Sequence, residues 1–404
     1  MSNRPQCWSR FSRGNCDCST CRDSFTAQRR RCSFANMARK VGLNMVSMDE
    51  SWTLRNGLEI PHRSVLAAMT NKQSHDDGCL SDDEINFLIR RAKGGFGIIT
   101  TAASHVQESG QGWTGEMGVW GDHHVPGLTR LADEIRRYRS KSFVQLFHGG
   151  MRSPSALTGQ RAISASENFI SDSEGSSRSM TLEEVNETIT SFAKAAKRCE
   201  EAGFDGVELH GAHGYLIAQF LGSKTNRRMD EFGGDVLQRM TFLNKIIDAV
   251  RGMVSPTFSI LVRLSPVSED IGITLEDTLI VCESLLSKSI EGLHISCWDV
   301  FEEHKTGQTL TKEISQFIDN RIPIISTGSI WTGKDAQFLL EEGADAVGVA
   351  RVSLPFPDWP ISSASLEYCP AKPPFTPQEL IDAELSPLFV DYMRRWKGFV
   401  TDGR

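Results

Sequence analysis

The stretch GFDGVELHGAHGYLIAQFL, residues 203–221, contains a short apolar run that ends at His210. A glycine-rich turn with His213 and Tyr215 follows, and a second apolar segment comes after it. A short apolar run bounded by glycine and polar residues is typical of a buried strand. We therefore predict a strand over 205–210 with chemically active side chains at its C-terminal end.

Seven other runs repeat this pattern along the chain. Each is short, rich in Val, Ile and Leu, and shows little polar alternation, which indicates strands buried on both faces of a parallel sheet. The eight predicted strands are 63–69, 96–102, 142–147, 205–210, 259–265, 292–297, 322–328 and 345–350.

Amphipathic segments separate the predicted strands. Two of them open with a capping box, Ser81 with Glu84 and Thr181 with Glu184, in which each end of the motif satisfies a free backbone N–H. The predicted helices are 81–95, 126–140, 181–203, 235–252, 274–289, 310–319, 332–343 and 377–397.

Eight strands, each followed by a helix, predict an α/β fold of the (β/α)8 TIM-barrel type. A doubly wound open sheet also alternates strands and helices. The barrel is favoured by the number eight and by polar or glycine residues at strand ends: Thr70, Gln145, His210, Arg263 and Gly328. We predict a single barrel domain over 48–404, preceded by an N-terminal extension over 1–47.

The overall composition is that of a globular protein, with 39% hydrophobic residues and a net charge of −7 over 404 residues. No apolar run reaches the roughly 18 residues that a transmembrane helix needs, so no membrane partner is expected. The body of the chain is acidic and lacks basic stripes, which argues against nucleic acid as a partner.

The N-terminal extension differs from the rest of the chain. Residues 1–40 are rich in Arg and Ser and hold half of the 10 cysteines. They resemble an organellar transit peptide, mitochondrial or plastid; a disordered extension or a downstream start site are the alternatives. Without a targeting function, the scattered cysteines of the body favour a cytoplasmic protein. Cys16, Cys18 and Cys21 lack the second ligand pair that a zinc site would require.

His210 and His213 admit three interpretations: a metal site, buried structural histidines, or hydrogen-bond donors to a substrate. No Asp or Glu lies close enough in sequence to look like a third ligand, and Gly211 and Gly214 interrupt the helix that a metal-binding pair would prefer. No metal is therefore predicted.

A second site is indicated after the last two strands. Gly328 and Ser329 follow the seventh strand, and Ala350 and Arg351 follow the eighth. Loops at these positions form a common phosphate site in such barrels, which points to a phosphorylated substrate or cofactor. A tight turn at Gly328 and a surface ion pair at Arg351 are the alternative explanation.

The segment 203–234, which ends in TNRRMDEFGG, closely resembles the signature of the old yellow enzyme family, FMN-dependent ene-reductases built on a (β/α)8 barrel. The resemblance extends in the right order over about residues 50–360. It includes LAAMT (66–70), VQLFHGG (144–150), VRLSP (262–266), GVAR (348–351) and PFPDWP (355–360).

The resemblance implies an enzyme that passes hydride from NAD(P)H through FMN to the β-carbon of an α,β-unsaturated carbonyl compound. His210 and His213 would donate hydrogen bonds to the substrate carbonyl, and Tyr215 would protonate the α-carbon. Ala68 or Met69 would lie near the flavin N5. The other implied flavin contacts are Thr70 at the C4 carbonyl, Gln145 at the pyrimidine edge, Arg263 at N1 and the C2 carbonyl, and Gly328, Ser329, Ala350 and Arg351 at the phosphate.

Several residues depart from the family pattern. Ala68 replaces a common Pro, Ala350 a common Gly, and Met151 stands where Arg is usual, with Arg152 next. These departures leave open a sensor or binding role, and a different flavin reaction such as oxidation or demethylation is a further alternative. The predicted partner is a small-molecule substrate, and a homo-oligomer is compatible with the sequence.

Overall fold

The computed structural model describes residues 46–401 and contains a closed barrel of eight parallel strands. Each strand pairs with the next one along the chain, and the eighth pairs with the first. The predicted barrel is confirmed. The strands are β1 (Ser64–Leu66), β2 (Ile98–His105), β3 (Lys141–Phe147), β4 (Gly206–Gly211), β5 (Ser259–Leu264), β6 (Gly292–Ser296), β7 (Ile324–Thr327) and β8 (Ala346–Val349).

Seven longer helices connect the strands on the outside of the barrel. The predicted capping box of Thr181 and Glu184 is present at the N-terminus of its helix. At Ser81 only half of the predicted box forms: the Ser81 hydroxyl accepts the Glu84 N–H, whereas the Glu84 carboxylate accepts from the side chains of Asn71 and Ser74. The helices are α1 (Asp82–Lys93), α2 (Val125–Arg136), α3 (Leu182–Glu201), α4 (Thr241–Met253), α5 (Leu275–Leu286), α6 (Leu310–Ile318) and α7 (Gly333–Glu341).

Short elements fill the connections. One-turn and two-turn helices span Ser155–Thr158, Leu216–Leu221, Val236–Arg239, Trp359–Ser363, Pro377–Asp382 and Pro387–Met393, and 3-10 turns span Glu108–Gly110, Asp122–His124, Gly150–Arg152 and Arg351–Ser353. Short strands outside the barrel are Trp52–Thr53, Glu59–Ile60, Ile163–Ser164, Phe169–Ser171, Gly175–Ser176 and Arg178–Ser179.

A hairpin closes one end of the barrel. Its strands, Trp52–Thr53 and Glu59–Ile60, pair antiparallel, and Trp52, Leu54 and Ile60 pack in one buried cluster with side chains from the early part of several barrel strands. Burial of this apolar surface stabilises the closed end. The open end lies at the C-terminal ends of the strands, where barrel enzymes hold their ligands.

Two predicted helices are each divided in two. The segment 235–252 breaks at Met240, whose ψ of −3° separates Val236–Arg239 from α4. The segment 377–397 breaks because Glu384 takes a left-handed φ of 63° and Pro387 then starts a second helix. Both breaks depend on local backbone geometry that a hydrophobic pattern does not report.

The division between an extension at 1–47 and a barrel domain at 48–404 stays a prediction, because residues 1–45 lie outside the described part of the chain. The transit-peptide and zinc interpretations of this segment fall there as well. Within residues 46–401, no helix is long and apolar enough to cross a membrane.

Candidate functional site

The ends of β1 and β5 meet at the open end of the barrel. Arg263, near the end of β5, is buried, and its Nη1 lies 3.5 Å from the carbonyl oxygen of Ala68, just after β1. Met69 and Thr70 continue the same segment and are partly buried. The structure therefore brings together four residues that the sequence analysis singled out from distant parts of the chain.

Arg263 is a buried cation with spare hydrogen-bonding capacity. Its Nη2 donates to the Ser296 hydroxyl over 3.1 Å, while its buried Nε has no acceptor among the described residues. Burial lowers the pKa of the guanidinium, although the charge of Glu208 acts in the opposite direction. A buried donor without a partner is costly, so this position fits an anionic or carbonyl acceptor such as the N1–C2 edge of a flavin.

Gln145 is held in place by a polar network inside the barrel. Its Nε2 donates to Glu208 over 2.5 Å, and the other oxygen of Glu208 lies 2.6 Å from His294 Nδ1. His294 Nε2 in turn lies 2.6 Å from the Thr327 hydroxyl. Burial alone would raise the pKa of Glu208, but His294, Arg263 and Gln145 outweigh burial and lower the pKa. An ionised Glu208 accepts from the Gln145 Nε2 and so fixes the orientation of the amide. The Oε1 of Gln145 is then left to accept from another donor.

The two histidines of the opening stretch face each other. The ring centres of His210 and His213 are 5.1 Å apart, with the ring planes at 86°. Burial is the main reason why the pKa of His210 is well below its usual value and that of His213 is lowered to about 3. Both imidazoles are therefore neutral at physiological pH, and each carries one N–H.

Hydrogen-bond partners assign the position of each proton. His210 Nδ1 accepts a long 3.4 Å contact from the Ala212 N–H, which leaves the proton of His210 on Nε2. His213 Nε2 lies 2.8 Å from the Ser296 hydroxyl, which already accepts from Arg263 and can donate its own hydrogen to Nε2. His213 then carries its proton on Nδ1, so each histidine has an N–H donor that no acceptor of residues 46–401 engages.

His213 occupies a left-handed backbone conformation, with a φ of 59°. This conformation is uncommon for a residue with a side chain. It is supported by the Ser265 hydroxyl, which accepts the His213 N–H over 3.1 Å. Among residues 46–401, no third His, Cys, Asp or Glu completes a three-ligand metal group with His210 and His213.

Tyr215 packs against two other rings of the site, those of Phe147 and His210. It is the N-cap of the helix Leu216–Leu221, and its ring centre lies 4.5 Å from that of Phe147 and 5.0 Å from that of His210. Burial raises the pKa of the phenol, although the neighbouring Arg152 acts to lower it. Tyr215 is therefore a protonated phenol at neutral pH, next to the two histidine donors.

The predicted phosphate loops lie after β7 and β8. A Cβ at Gly328 would come within 2.6 Å of the Cys297 carbonyl oxygen, so a side chain does not fit there. Ser329 follows with a left-handed φ of 56°. Within the described range, the Ser329 and Arg351 N–H groups have no acceptor, and Arg351 forms no ion pair. Two free amides and a cation fit a phosphate.

Ala350 contributes backbone rather than side chain. Its carbonyl oxygen accepts from both the N–H and the hydroxyl of Ser353, which starts the turn that carries Arg351. The Arg351 guanidinium lies 5.6 Å from the centre of the Trp396 ring. The hydrogen bonds between Ala350 and Ser353 thus shape the loop, and the Arg351 guanidinium remains available to bind an anion.

A separate cluster of possible metal ligands, Cys79, His123 and His124, lies outside this site. Its ligand atoms come within 4.8 Å of one another. However, His124 Nδ1 contacts the Gly121 backbone, and its Nε2 lies 3.1 Å from the Asp77 carbonyl oxygen. Because both ring nitrogens already have backbone partners, His124 acts as a structural residue of this turn.

Three contributors were missed by the sequence analysis: Glu208, His294 and Ser296. Each lies two residues from another position on the same inward face, Glu208 before His210 and His294 before Ser296. The period of two along a strand was therefore a usable signal. Their pairing partners lie on other strands, which a single sequence does not reveal.

The fold and the site define a barrel whose open end contains a buried cation and two loops with backbone amides that fit a phosphate. Residues 52–365 match the NADH:flavin oxidoreductase / NADH oxidase family. The chain belongs to this family, whose cofactor is FMN and whose reductant is a nicotinamide. It is an NAD(P)H-dependent flavin oxidoreductase.

Two related proteins agree with this assignment, and a solved structure agrees with the fold. The chain is 35% identical to a probable NADH-dependent flavin oxidoreductase, YqiG, of Bacillus subtilis, over 77% of this chain and 86% of that protein. It is 32% identical to an NADPH dehydrogenase of Bacillus licheniformis, over 78% and 92%. The structure of an old yellow enzyme homologue from Zymomonas mobilis superposes with a TM-score of 0.73 at 24% identity, over 84% of this chain and 99% of that one.

Proposed function

We propose that this flavin oxidoreductase reduces the C=C bond of α,β-unsaturated carbonyl compounds and similar activated alkenes. The observation that carries the proposal is the grouping of two neutral histidine donors and a protonated phenol at the open end of the barrel. Bound FMN would supply the chemistry of hydride transfer, taking hydride from NAD(P)H and giving it to the substrate.

The histidines would act on the substrate carbonyl. Their free N–H groups, His210 Nε2–H and His213 Nδ1–H, would donate to the oxygen that gains negative charge as the β-carbon accepts hydride. Because the site is buried and the donors are already oriented, each would contribute about 2.7–4 kcal/mol to lowering the barrier. Tyr215 would then deliver its proton to the α-carbon.

The remaining predicted residues would hold the cofactor. Arg263 would stabilise negative charge at the N1–C2 edge of the ring, and Gln145 would bind the pyrimidine edge. Ala68, Met69 and Thr70 would line the ring near N5 and C4. The phosphate would be held by Gly328, Ser329, Ala350 and Arg351. The orphaned Nε of Arg263 and the free amides after β7 and β8 support this arrangement.

Two relatives have names that mention activated alkenes. A Vibrio harveyi protein called NADH:acrylate oxidoreductase and a Klebsiella pneumoniae protein called NADH:fumarate oxidoreductase are each 30% identical to this chain. The chain spans only 36% and 35% of these two proteins. Their names therefore support a C=C substrate for this chain only as a proposal.

The test is an anaerobic absorption experiment. Flavin bands should bleach with NADPH and recover when 2-cyclohexenone is added. The double variant His210→Ala/His213→Ala should keep the flavin bands and their bleaching but lose recovery by the enone, since the carbonyl would have no donor. His123→Ala, which changes an exposed histidine, is the matched control and should behave like the wild type.

The other outcomes are equally informative. Recovery with 2-cyclohexenone at the wild-type rate in the double variant would contradict the proposed role of the histidines. Bleaching without recovery by any enone in the wild type would contradict ene-reduction, and would favour a binding role or a different flavin reaction such as oxidation or demethylation.

A further inference from the structure

Arg152 lies at the mouth of the site beside the predicted proton donor. The carbon of its guanidinium is 5.5 Å from the centre of the Tyr215 ring. A hydrogen bond and the charge of Arg152 both act to lower the pKa of the Tyr215 hydroxyl, and the same charge acts to lower the pKa of His213. The guanidinium therefore lies close to two of the three groups that would contact the substrate, Tyr215 and His213.

Gln219 fixes the loop that carries Arg152 to the loop that carries Tyr215. Its side chain is fully buried, and its Nε2 donates to the carbonyl oxygens of Gly149 over 3.1 Å and Gly214 over 2.9 Å. Its Oε1 accepts the Met151 N–H over 3.1 Å. Because one amide binds both loops, the position of Arg152 relative to Tyr215 is a built feature of the site.

The described part of the chain leaves the charge of Arg152 without an ion-pair partner. Within residues 46–401, no carboxylate lies within ion-pair distance of its guanidinium, and the side chain reaches solvent. Glu116, an acid that affects the Tyr215 phenol, is completely buried, and burial raises its pKa well above the usual value. The raised pKa shifts Glu116 towards its uncharged form, so the exposed charge beside Tyr215 is that of Arg152.

We infer that Arg152 binds an anionic group on the substrate, and that the preferred substrates are α,β-unsaturated carbonyl compounds with a carboxylate attached on the side of the α-carbon. This inference rests on the proposed function, because it takes the carbonyl to lie at His210 and His213 and the α-carbon at Tyr215. A carboxylate two bonds beyond the α-carbon, as in a carboxymethyl group, would then reach the guanidinium. Arginine is suited to this role, since its planar fork matches both oxygens of a carboxylate.

A matched pair of substrates tests the inference. The first is (6-oxocyclohex-1-en-1-yl)acetate, whose α-carbon carries a carboxymethyl group, and the second is its uncharged methyl ester. Each is added to the NADPH-reduced holoenzyme, and the rate of flavin reoxidation gives kcat/KM. The wild type should prefer the acid. Arg152→Gln should reduce the acid-to-ester ratio by about tenfold to a hundredfold, the usual range for a charge-assisted hydrogen bond.

Further variants separate position from charge. Arg152→Lys should keep part of the preference, because it retains the charge but loses the fork. Arg137→Gln removes an exposed charge on the outside of the barrel and should leave the ratio at the wild-type value. The preference of the wild type should also fall with added salt, which screens an exposed charge.

The outcomes distinguish the two proposals. An acid-to-ester ratio that is the same in the wild type and in Arg152→Gln would overturn the role of Arg152. Reoxidation by 2-cyclohexenone but by neither acid nor ester would overturn the proposed substrate class, because the α-substituent would not fit. Failure of 2-cyclohexenone itself would instead overturn the proposed function.

Discussion

His213 combines a left-handed backbone with a side chain that remains uncharged. Its pKa is lowered to about 3, and that of His210 is also well below the usual value, mainly because both rings are buried. A histidine with a lowered pKa is charged only below the lowered value. The two donors should therefore hold the same protonation state over the whole range in which the enzyme is normally studied.

This state leads to a pH prediction for the proposed reaction. Between pH 5 and pH 8, the rate at which 2-cyclohexenone reoxidises the NADPH-reduced enzyme should show no ionisation near 6.5. Tyr215 adds no ionisation in this range, since burial raises its pKa above the usual 10. Stopped-flow measurements at saturating enone would check this. A step near pH 6.5 that disappears in His213→Asn would contradict the prediction.

At this scale, the sequence predicts the residues that stand at strand ends, and misses their partners. Gln145, His210 and Arg263 were recognisable because each is a polar residue at or near the end of an apolar run. Ser296 was not singled out, although it contacts both Arg263 and His213. Arg152 was noted only as a departure, because its proximity to Tyr215 depends on the Gln219 contacts between two loops.

At the scale of elements, two glycines differ in the space that surrounds them, one in a strand of the barrel and one in an outer helix. A Cβ at Gly348, in β8, would lie 1.7 Å from the Thr327 hydroxyl, which is bonded to His294 inside the barrel. A Cβ at Gly252, in the last turn of α4, would meet nothing within 4 Å. The same substitution should therefore change stability in opposite directions.

Gly348→Ala should lower the free energy of unfolding by about 1–3 kcal/mol, because the added methyl group overpacks the barrel interior. Gly252→Ala should raise it by about 0.5–1 kcal/mol, because alanine is favoured over glycine in a helix. Urea unfolding followed by circular dichroism would measure both. Equal effects in the two variants would show that local packing at Gly348 has relaxed around the methyl group.

Element prediction from the sequence was accurate where the signal was local. The N-cap residues Ser81 and Thr181 mark the N-termini of α1 and α3, because each accepts the backbone N–H of the residue three positions ahead. No such local pair marks the break before α4, where the ψ of −3° at Met240 ends the preceding turn. Arg239, just before the break, donates to the carbonyl oxygens of Gly234, which is nearby in sequence, and of Leu221, which is 18 residues away.

At the scale of the whole molecule, the barrel followed from counting, since eight buried runs in alternation with helices leave few other folds. Closure of the strand order and the plug formed by the Trp52–Ile60 hairpin required coordinates, because neither depends on any local pattern. The open end that results contains a buried cation, Arg263, whose Nε has no partner among residues 46–401. The buried guanidinium of Arg263 therefore destabilises the ligand-free fold, because its Nε has lost hydration without gaining an acceptor.

FMN should offset that cost and stabilise the whole barrel. At a free FMN concentration of about 100 Kd, binding to the folded state alone adds about 2.7 kcal/mol to the free energy of unfolding. In Arg263→Met this increment should shrink by about 1.4 kcal/mol for each tenfold loss of affinity. Thermal unfolding of the flavin-free protein, with and without added FMN, would measure the increment as a rise in Tm.

The control is Arg130→Met, which removes an exposed arginine of α2 that pairs with Asp82 at the surface. Its FMN increment should equal that of the wild type, whatever its effect on Tm without FMN. Comparing increments rather than absolute Tm values separates cofactor binding from the effect of each substitution on the fold. A full increment in Arg263→Met would mean that the buried guanidinium does not contact the cofactor, and the proposed orientation of the flavin ring would then be wrong.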